Sequence, residues 1–82
     1  MIDLEIRDRY KKANEFFFDA MNKNDWSRCI TIIENSNNVL LENPFAVVAT
    51  FCKKPVFASE VLEQNKRRIE WFQTLLEREG NA

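Results

Sequence analysis

The sequence predicts an all-α domain, a small bundle of three to four helices with an N-terminal antiparallel helical hairpin and a long C-terminal helix. Two observations favour this class. Apolar residues recur at spacings of three and four over much of the chain, which is the period of a helix with one buried face. Turn residues are scarce, with one Gly and two Pro among 82 residues, of which 45% are hydrophobic and 30% charged. This composition is typical of a packed protein, and we predict one helical domain over residues 1–82.

The first helix is predicted over residues 3–21. Its apolar positions are spaced 4, 3, 4 and 3 residues apart, which suits a coiled-coil-like seam against a neighbouring helix. Polar residues 22–25 then stop the helix, because Asn and Asp hydrogen-bond to the nearby backbone and favour turns and caps. The seam consists of Ile6, Tyr10, Ala13, Phe17 and Ala20.

Three consecutive aromatic residues, Phe16, Phe17 and Phe18, lie within this helix. Adjacent residues are about 100° apart, so the three span about 200° of the helix surface and one buried face cannot cover them all. Phe17 belongs to the seam, which leaves Phe16 and Phe18 on either side of it. We therefore expect something beyond one neighbouring helix to cover them: the rest of the chain, a second copy of it, or a foreign partner.

A second helix is predicted to begin at Trp26, with Asn24 or Asp25 as its N-cap. It continues at helical spacing through Cys29 and Ile33. Two helices joined by a short turn should pack antiparallel as a hairpin.

Residues 24–30, which read Asn-Asp-Trp-Ser-Arg-Cys-Ile, resemble the turn of a tetratricopeptide repeat. In that family a small residue and Asp precede an aromatic residue, and a small residue follows three positions later. The resemblance covers about 30 residues and implies a local helical hairpin. Asn24 stands where Gly is usual, Pro44 comes late, and no second repeat follows, whereas such arrays usually need several units. No binding residues are transferred from that family.

The middle of the chain is ambiguous between helix and strand. Residues 34–38 have the weakest helix propensity, but we expect the second helix to continue through them and to stop before Pro44. Residues 45–52 are rich in β-branched and aromatic residues, which suits either a short buried helix or a strand. We predict the helix, because an isolated two-stranded hairpin is marginally stable. The alternative is an α+β fold with a short hairpin within residues 39–52.

The last helix is predicted to span about 20 residues, with Ser59 as its N-cap. Asn65 interrupts its apolar stripe. Trp71 lies about 100° from Phe72 and widens the apolar surface, so an aromatic residue again lies beyond the stripe. The stripe consists of Leu62, Ile69, Phe72 and Leu76.

Most residue types that carry catalysis are missing or isolated. The chain has no His, the commonest general base and metal ligand. Cys29 and Cys52 lie 23 positions apart and without His do not supply the ligand set of a structural zinc site. A single Gly excludes the usual Gly-rich phosphate-binding loops. We therefore expect no catalytic residue, no metal site and no cofactor.

The two cysteines also bear on the compartment. The first residues are charged and lack the apolar run of a signal peptide, so we expect reduced, buried thiols and a cytoplasmic protein. No apolar run approaches the ~20 residues that span a bilayer, so no membrane partner is expected.

A local basic cluster is the candidate polyanion-binding site. Lys and Arg number 12 against 13 Asp and Glu, so the net charge of −1 gives no global attraction to nucleic acid. The competing interpretation is ion pairing one helical turn away, between Glu63 and Arg67 and between Lys66 and Glu70. The candidate residues are Lys53, Lys54, Lys66, Arg67 and Arg68.

The excess of aromatic residues favours protein binding, because large aromatic side chains are enriched at interface hot spots. A chain of this size is also marginally stable alone, so a partner subunit would stabilise it. We predict a non-enzymatic regulator, inhibitor or adaptor that binds a larger protein as a homodimer, in the style of small bacterial or phage proteins. Nucleic-acid binding is the alternative, and a small enzyme ranks last. The predicted interface residues are Phe16, Phe18, Tyr10, Trp26 and Trp71.

Overall fold

A computed structural model describes residues 2–80, which are mostly helical and include a small two-stranded antiparallel sheet. The molecule is elongated, with extents of 47 × 24 × 19 Å. In chain order the elements are α1 (Leu4–Ala13), α2 (Phe17–Asn22), α3 (Trp26–Glu42), β1 (Val47–Phe51), β2 (Lys54–Phe57) and α4 (Ala58–Gly80).

The predicted continuous helix over residues 3–21 is wrong, because a turn at residues 14–16 separates α1 from α2. The amide of Asn14 donates to the carbonyl of Tyr10 at 3.1 Å, and the carbonyl of Asn14 accepts from the amide of Phe17 at 3.1 Å. Asn favours such local turns over helix interiors. The turn re-aims the chain, so that Phe17 and Ala20 are buried while Phe16 and Phe18 stay exposed.

Helix α3 is the central element and packs against α1, α2 and α4. It begins after a short turn in which Asn24 adopts a φ of 56°, a conformation that Asn tolerates better than most residues. The carboxylate of Asp25 then caps α3 by accepting from the amide of Arg28 at 3.2 Å. The helix continues through residues 34–38 to Glu42, as the sequence predicted.

Residues 45–52 do not form the predicted helix, because β1 pairs with β2 as an antiparallel hairpin. The alternative prediction, a hairpin within residues 39–52, was correct in placing a strand in this segment. It was wrong about the paired strand, because residues 39–42 belong to α3 and β1 pairs with β2 instead. Buried Val48 joins a cluster with Ile6, Leu40 and Ala58, so α1, α3 and α4 support a hairpin that would be marginal alone.

Helix α4 begins at Ala58, which places Ser59 inside the first turn rather than at the predicted N-cap position. Glu60 takes over part of the capping, because its carboxylate accepts from the amide of Phe57 at 2.7 Å. This backward contact is one half of a capping box. The 23 residues of α4 run antiparallel to α3, with Trp26 near Glu79 and Leu40 near Ala58.

The core consists of two apolar clusters. The first lies among α2, the start of α3 and the second half of α4. The second lies among α1, the end of α3, the hairpin and the start of α4. The buried members of the first cluster are Phe17, Ala20, Cys29, Ile32, Ile33 and Phe72, and those of the second are Ile6, Leu40, Val48 and Ala58.

A polar layer separates the two clusters along α3 and α4. The side-chain amide of Asn65, which is 1% exposed, donates to the side-chain carbonyl of Asn37 at 2.9 Å. The buried hydroxyl of Ser36 donates to the carbonyl of Ile33 at 2.8 Å. Asn65 therefore interrupts the apolar stripe of α4 because it faces a polar partner on α3.

Candidate protein-binding site

An apolar groove of about 420 Å³ lies between α2 and the second half of α4. We call it the aromatic groove. Buried Phe17 and Phe72 form its floor. Its remaining apolar lining, together with one cation, consists of Phe18, Met21, Trp26, Arg68, Trp71 and Leu75.

Contacts among the aromatic rings fix the shape of this groove. The ring of Phe17 packs edge-on against Phe18 and Phe72, with centroids 5.6 and 5.9 Å apart. The ring of Trp26 stacks on Phe72 at 5.7 Å with an interplanar angle of 20°. Such edge-to-face and stacked pairs are the favoured arrangements of aromatic rings. The floor is therefore organised before anything binds.

The polar parts of the two tryptophans have different environments. The indole N–H of Trp26 donates to a carboxylate oxygen of Glu79 at 2.9 Å, which ties the start of α3 to the end of α4. The guanidinium carbon of Arg78 lies 6.0 Å from the ring of Trp71, at the outer limit of a cation–π contact. Trp26 is half-buried, whereas Trp71 is 54% exposed.

Three of the five predicted interface residues meet in the aromatic groove, namely Phe18, Trp26 and Trp71. Phe16 is 56% exposed but does not line the groove. Tyr10 is half-buried against the second apolar cluster and lines separate grooves beside the hairpin.

The predicted polyanion-binding residues do not converge on one groove. Lys53 lies in the hairpin turn and Lys54 begins β2. Lys66, Arg67 and Arg68 are exposed and consecutive on α4, so they are about 100° apart around the helix. Within residues 2–80, neither of the two expected α4 ion pairs lies within ion-pair distance, and the pairs that form are Arg9–Glu42 and Lys23–Asp19.

Both cysteines are unpaired, and their environments differ. Cys29 is buried as expected, but Cys52 is exposed in the hairpin turn, so the prediction of a buried thiol is wrong there. The turn places Cys52 at the exposed tip of the two-stranded sheet. Burial raises the pKa of the Cys29 thiol above its ordinary value of 9.0, and the nearby carboxylate of Asp25 raises it further.

The described residues offer neither a metal-binding cluster nor a membrane-spanning helix. No group of three or more His, Cys, Asp or Glu residues between positions 2 and 80 is arranged to hold a metal ion. In the same part of the chain, every helix is too short or too polar to cross a membrane.

The sequence interpretation missed Met21 and assigned Arg68 to polyanion binding alone. A signal for Arg68 was present, because Arg68, Trp71 and Leu75 follow one another at spacings of three and four and so share one side of α4. Met21 follows Phe18 by three residues and shares its side of α2 in the same way.

Comparison with known proteins gives no relative: no protein-family model, curated protein or solved structure matches this chain.

Proposed function

We propose that this protein is a non-enzymatic interaction protein that binds a protein partner through the aromatic groove. The observation that carries the proposal is the position of Phe18 and Trp71, which are 70% and 54% exposed and line the same groove. Fully burying one such side chain contributes about 1.5–3 kcal/mol, so a partner that covers both gains substantially.

The rigid floor supports this proposal. Binding costs less when the receptor side chains are already ordered, and Phe17, Trp26 and Phe72 are held by ring contacts and by the bond to Glu79. A partner would therefore bind to an ordered groove floor flanked by the exposed side chains of Phe18 and Trp71. Central aromatic anchors of this kind dominate the energetics of many protein interfaces.

The role proposed for the protein is that of a small cytoplasmic regulator, inhibitor or adaptor that acts as a homodimer on a larger protein. A symmetric dimer of this kind would use the same patch on both copies, at a surface that leaves the aromatic groove open to the partner. Sedimentation at micromolar concentration tests this part, and a strictly monomeric protein would contradict the dimer.

Capture of partners from the native host tests the groove itself. Phe18→Asp and Trp71→Ala should each reduce capture at least tenfold, because each removes an apolar anchor of about 1.4 kcal/mol or more. Phe45→Asp is the matched control, since Phe45 is 85% exposed but lies beside Leu4 and Val47, outside the aromatic groove. Equal capture by all three variants, each verified as folded by circular dichroism, would refute the proposal.

Nucleic-acid binding through the basic cluster is the second candidate. The observation in its favour is that Lys66 and Arg67 are exposed and make no ion pair with the expected glutamates among residues 2–80. Charge reversal of both residues should then abolish retention on heparin and remove the salt dependence of binding to duplex DNA. Unchanged retention would eliminate this candidate.

A further inference from the structure

A second groove, of about 460 Å³, lies between α1 and β1, and we call it the edge groove. One wall is α1, with Arg7, Tyr10 and Lys11, and the other is β1 at residues 48–50. Ile2 closes one end. It is separate from the aromatic groove, so an inference about it does not depend on the proposed function.

The wall formed by β1 is an open strand edge. The two-residue turn makes Phe51 and Lys54 a hydrogen-bonded pair, so alternation along the ladder makes Thr50 and Pro55 a non-hydrogen-bonded pair. The backbone groups of Thr50 therefore point away from β2, toward the edge groove. Among residues 2–80, the backbone bond on this side of β1 is the one from the amide of Asp3 to the carbonyl of Val47, at 2.8 Å, and Thr50 has no such partner.

The opposite edge of the sheet is not equivalent. Pro55 occupies the matching outward position on β2, and proline has no N–H to offer to a further strand. Proline on an edge strand is a common means of preventing strand addition. The sheet can therefore accept a new strand at β1 and not at β2.

The wall formed by α1 is positively charged. Arg7 and Lys11 lie one helical turn apart, and within the described residues neither forms an ion pair. The carboxylate of Asp3 does not line this groove and caps α1, where it accepts from the amide of Ile6 at 3.2 Å. A negatively charged ligand would therefore complement this wall of the groove.

We propose that the edge groove binds an extended, acidic segment of a partner protein by β-strand addition. The backbone of the segment pairs with Thr50, an apolar side chain contacts Tyr10 and Val48, and a carboxylate lies beside Arg7 and Lys11. In this mode of recognition the main-chain bonds supply affinity, and the alternate side chains supply specificity.

The test uses the full chain and a six-residue capped peptide of alternating valine and glutamate at concentrations up to about 1 mM. We expect saturable binding with amide-shift changes at residues 49–51, and slowing of hydrogen exchange at the Thr50 amide by at least tenfold. A peptide with N-methylated backbone amides should bind at least tenfold more weakly, because it cannot complete the ladder.

Charge reversal tests the wall formed by α1. Arg7→Glu with Lys11→Glu should abolish binding of the glutamate peptide and confer binding of the matching lysine peptide. Lys12→Glu with Arg28→Glu is the control, with the same change in net charge outside the groove, and should bind the glutamate peptide as the wild type does. The proposal would be overturned if the wild type bound the glutamate and lysine peptides equally well, or if it did not bind the glutamate peptide. Thr50 protection that rises with protein concentration alone would also overturn it, in favour of a second copy.

Discussion

At the scale of single residues, the amide pair of Asn65 and Asn37 is a polar contact in the interface of α3 and α4. Half-buried Asn37 satisfies the amide of Asn65, which would otherwise be buried without a hydrogen bond at a cost of about 1–3 kcal/mol. A single buried polar pair also fixes the register of two helices, since a shifted helix would bury the amides against apolar side chains. The pair therefore contributes more to the uniqueness of the packing than to its free energy.

Replacing one member of this pair should be costly and replacing both should be less so. Asn37→Ala should lower the free energy of unfolding by about 1–3 kcal/mol, because the buried amide of Asn65 loses its partner. Asn65→Ala should cost less in hydrogen bonding, because the half-buried amide of Asn37 can bond to water instead. The double variant should lose less than the sum, with a coupling energy of about 0.5–3 kcal/mol. Urea unfolding of the wild type, the two single variants and the double variant gives the double-mutant cycle. Strictly additive losses would show that the two side chains do not interact.

The thiol of Cys29 gives a pH dependence with a defined sign. Its pKa is raised in the folded protein, mainly by burial, so the folded state favours the neutral thiol. The contribution of this thiol to the free energy of unfolding is fully present below its pKa in the unfolded chain. It is lost as the pH rises through its pKa in the folded protein. The free energy of unfolding should therefore fall from about pH 9 upward, by at most ~1.4 kcal/mol per pH unit from this group.

Urea unfolding at about pH 8 and about pH 10 measures this effect. Cys29→Ala should show a smaller loss between the two pH values than the wild type, whereas Cys52→Ala, which changes the exposed thiol, should match it. An identical pH dependence in all three proteins would assign the loss to other groups.

At the scale of elements, the hairpin turn carries backbone strain. Cys52 and Lys53 have φ values of 51° and 67°, and a two-residue turn with two positive φ angles favours Asn-Gly. Neither residue has the locally hydrogen-bonding side chain of Asn or the missing Cβ of Gly, which suit this conformation. The packing of Val48 against α1 and α4 holds the hairpin in spite of its turn.

The turn is therefore a site where stability can be gained. Cys52→Asn with Lys53→Gly should raise the free energy of unfolding by about 1 kcal/mol, which corresponds to roughly 4–8 °C in Tm for a domain of this size. Asn24→Gly is the control, because Asn already tolerates its φ of 56°, and should change stability by only a few tenths of a kcal/mol. A thermal melt of the double variant that coincides with the wild type would contradict the assignment of strain.

At the scale of the whole molecule, α3 connects the two apolar clusters. It contributes Cys29, Ile32 and Ile33 to one and Leu40 to the other, with the polar layer between them. The hairpin, by contrast, contacts the remainder of the protein through one end of α4, through α1 and through Leu40 at the end of α3. The two regions should therefore differ in local stability.

Hydrogen exchange should show this difference directly. We expect the slowest amides in the middle of α3, where exchange requires global unfolding, and faster exchange in the hairpin, which can open locally. Native-state exchange measured by mass spectrometry distinguishes the two regions. Equal protection in α3 and the hairpin would mean that the molecule opens as one cooperative unit.

Helical periodicity predicted the long α4, and periodicity together with the position of Pro44 predicted α3, although Asn65 and the polar residues 34–38 interrupt the two apolar stripes. It failed at residues 45–52, where strand formation depends on pairing with β2 and on the burial of Val48, both of which are tertiary effects. It also missed the turn at Asn14, since the seam spacing continues through it. For the binding surface, helical periodicity placed Phe18 and Trp71 beyond the buried stripes of their helices, but only the tertiary packing of the helices shows that they share a groove.

Because the two tryptophans lie in different environments, tryptophan fluorescence can report on the occupancy of the aromatic groove. Trp26 is stacked on Phe72 and bonded to Glu79, whereas Trp71 is largely open to water at the aromatic groove. With Trp26→Phe, the tryptophan fluorescence would come from Trp71 alone. Any unlabelled molecule that covers the groove, including a second copy of the chain, would then shift that emission to shorter wavelengths in a simple titration.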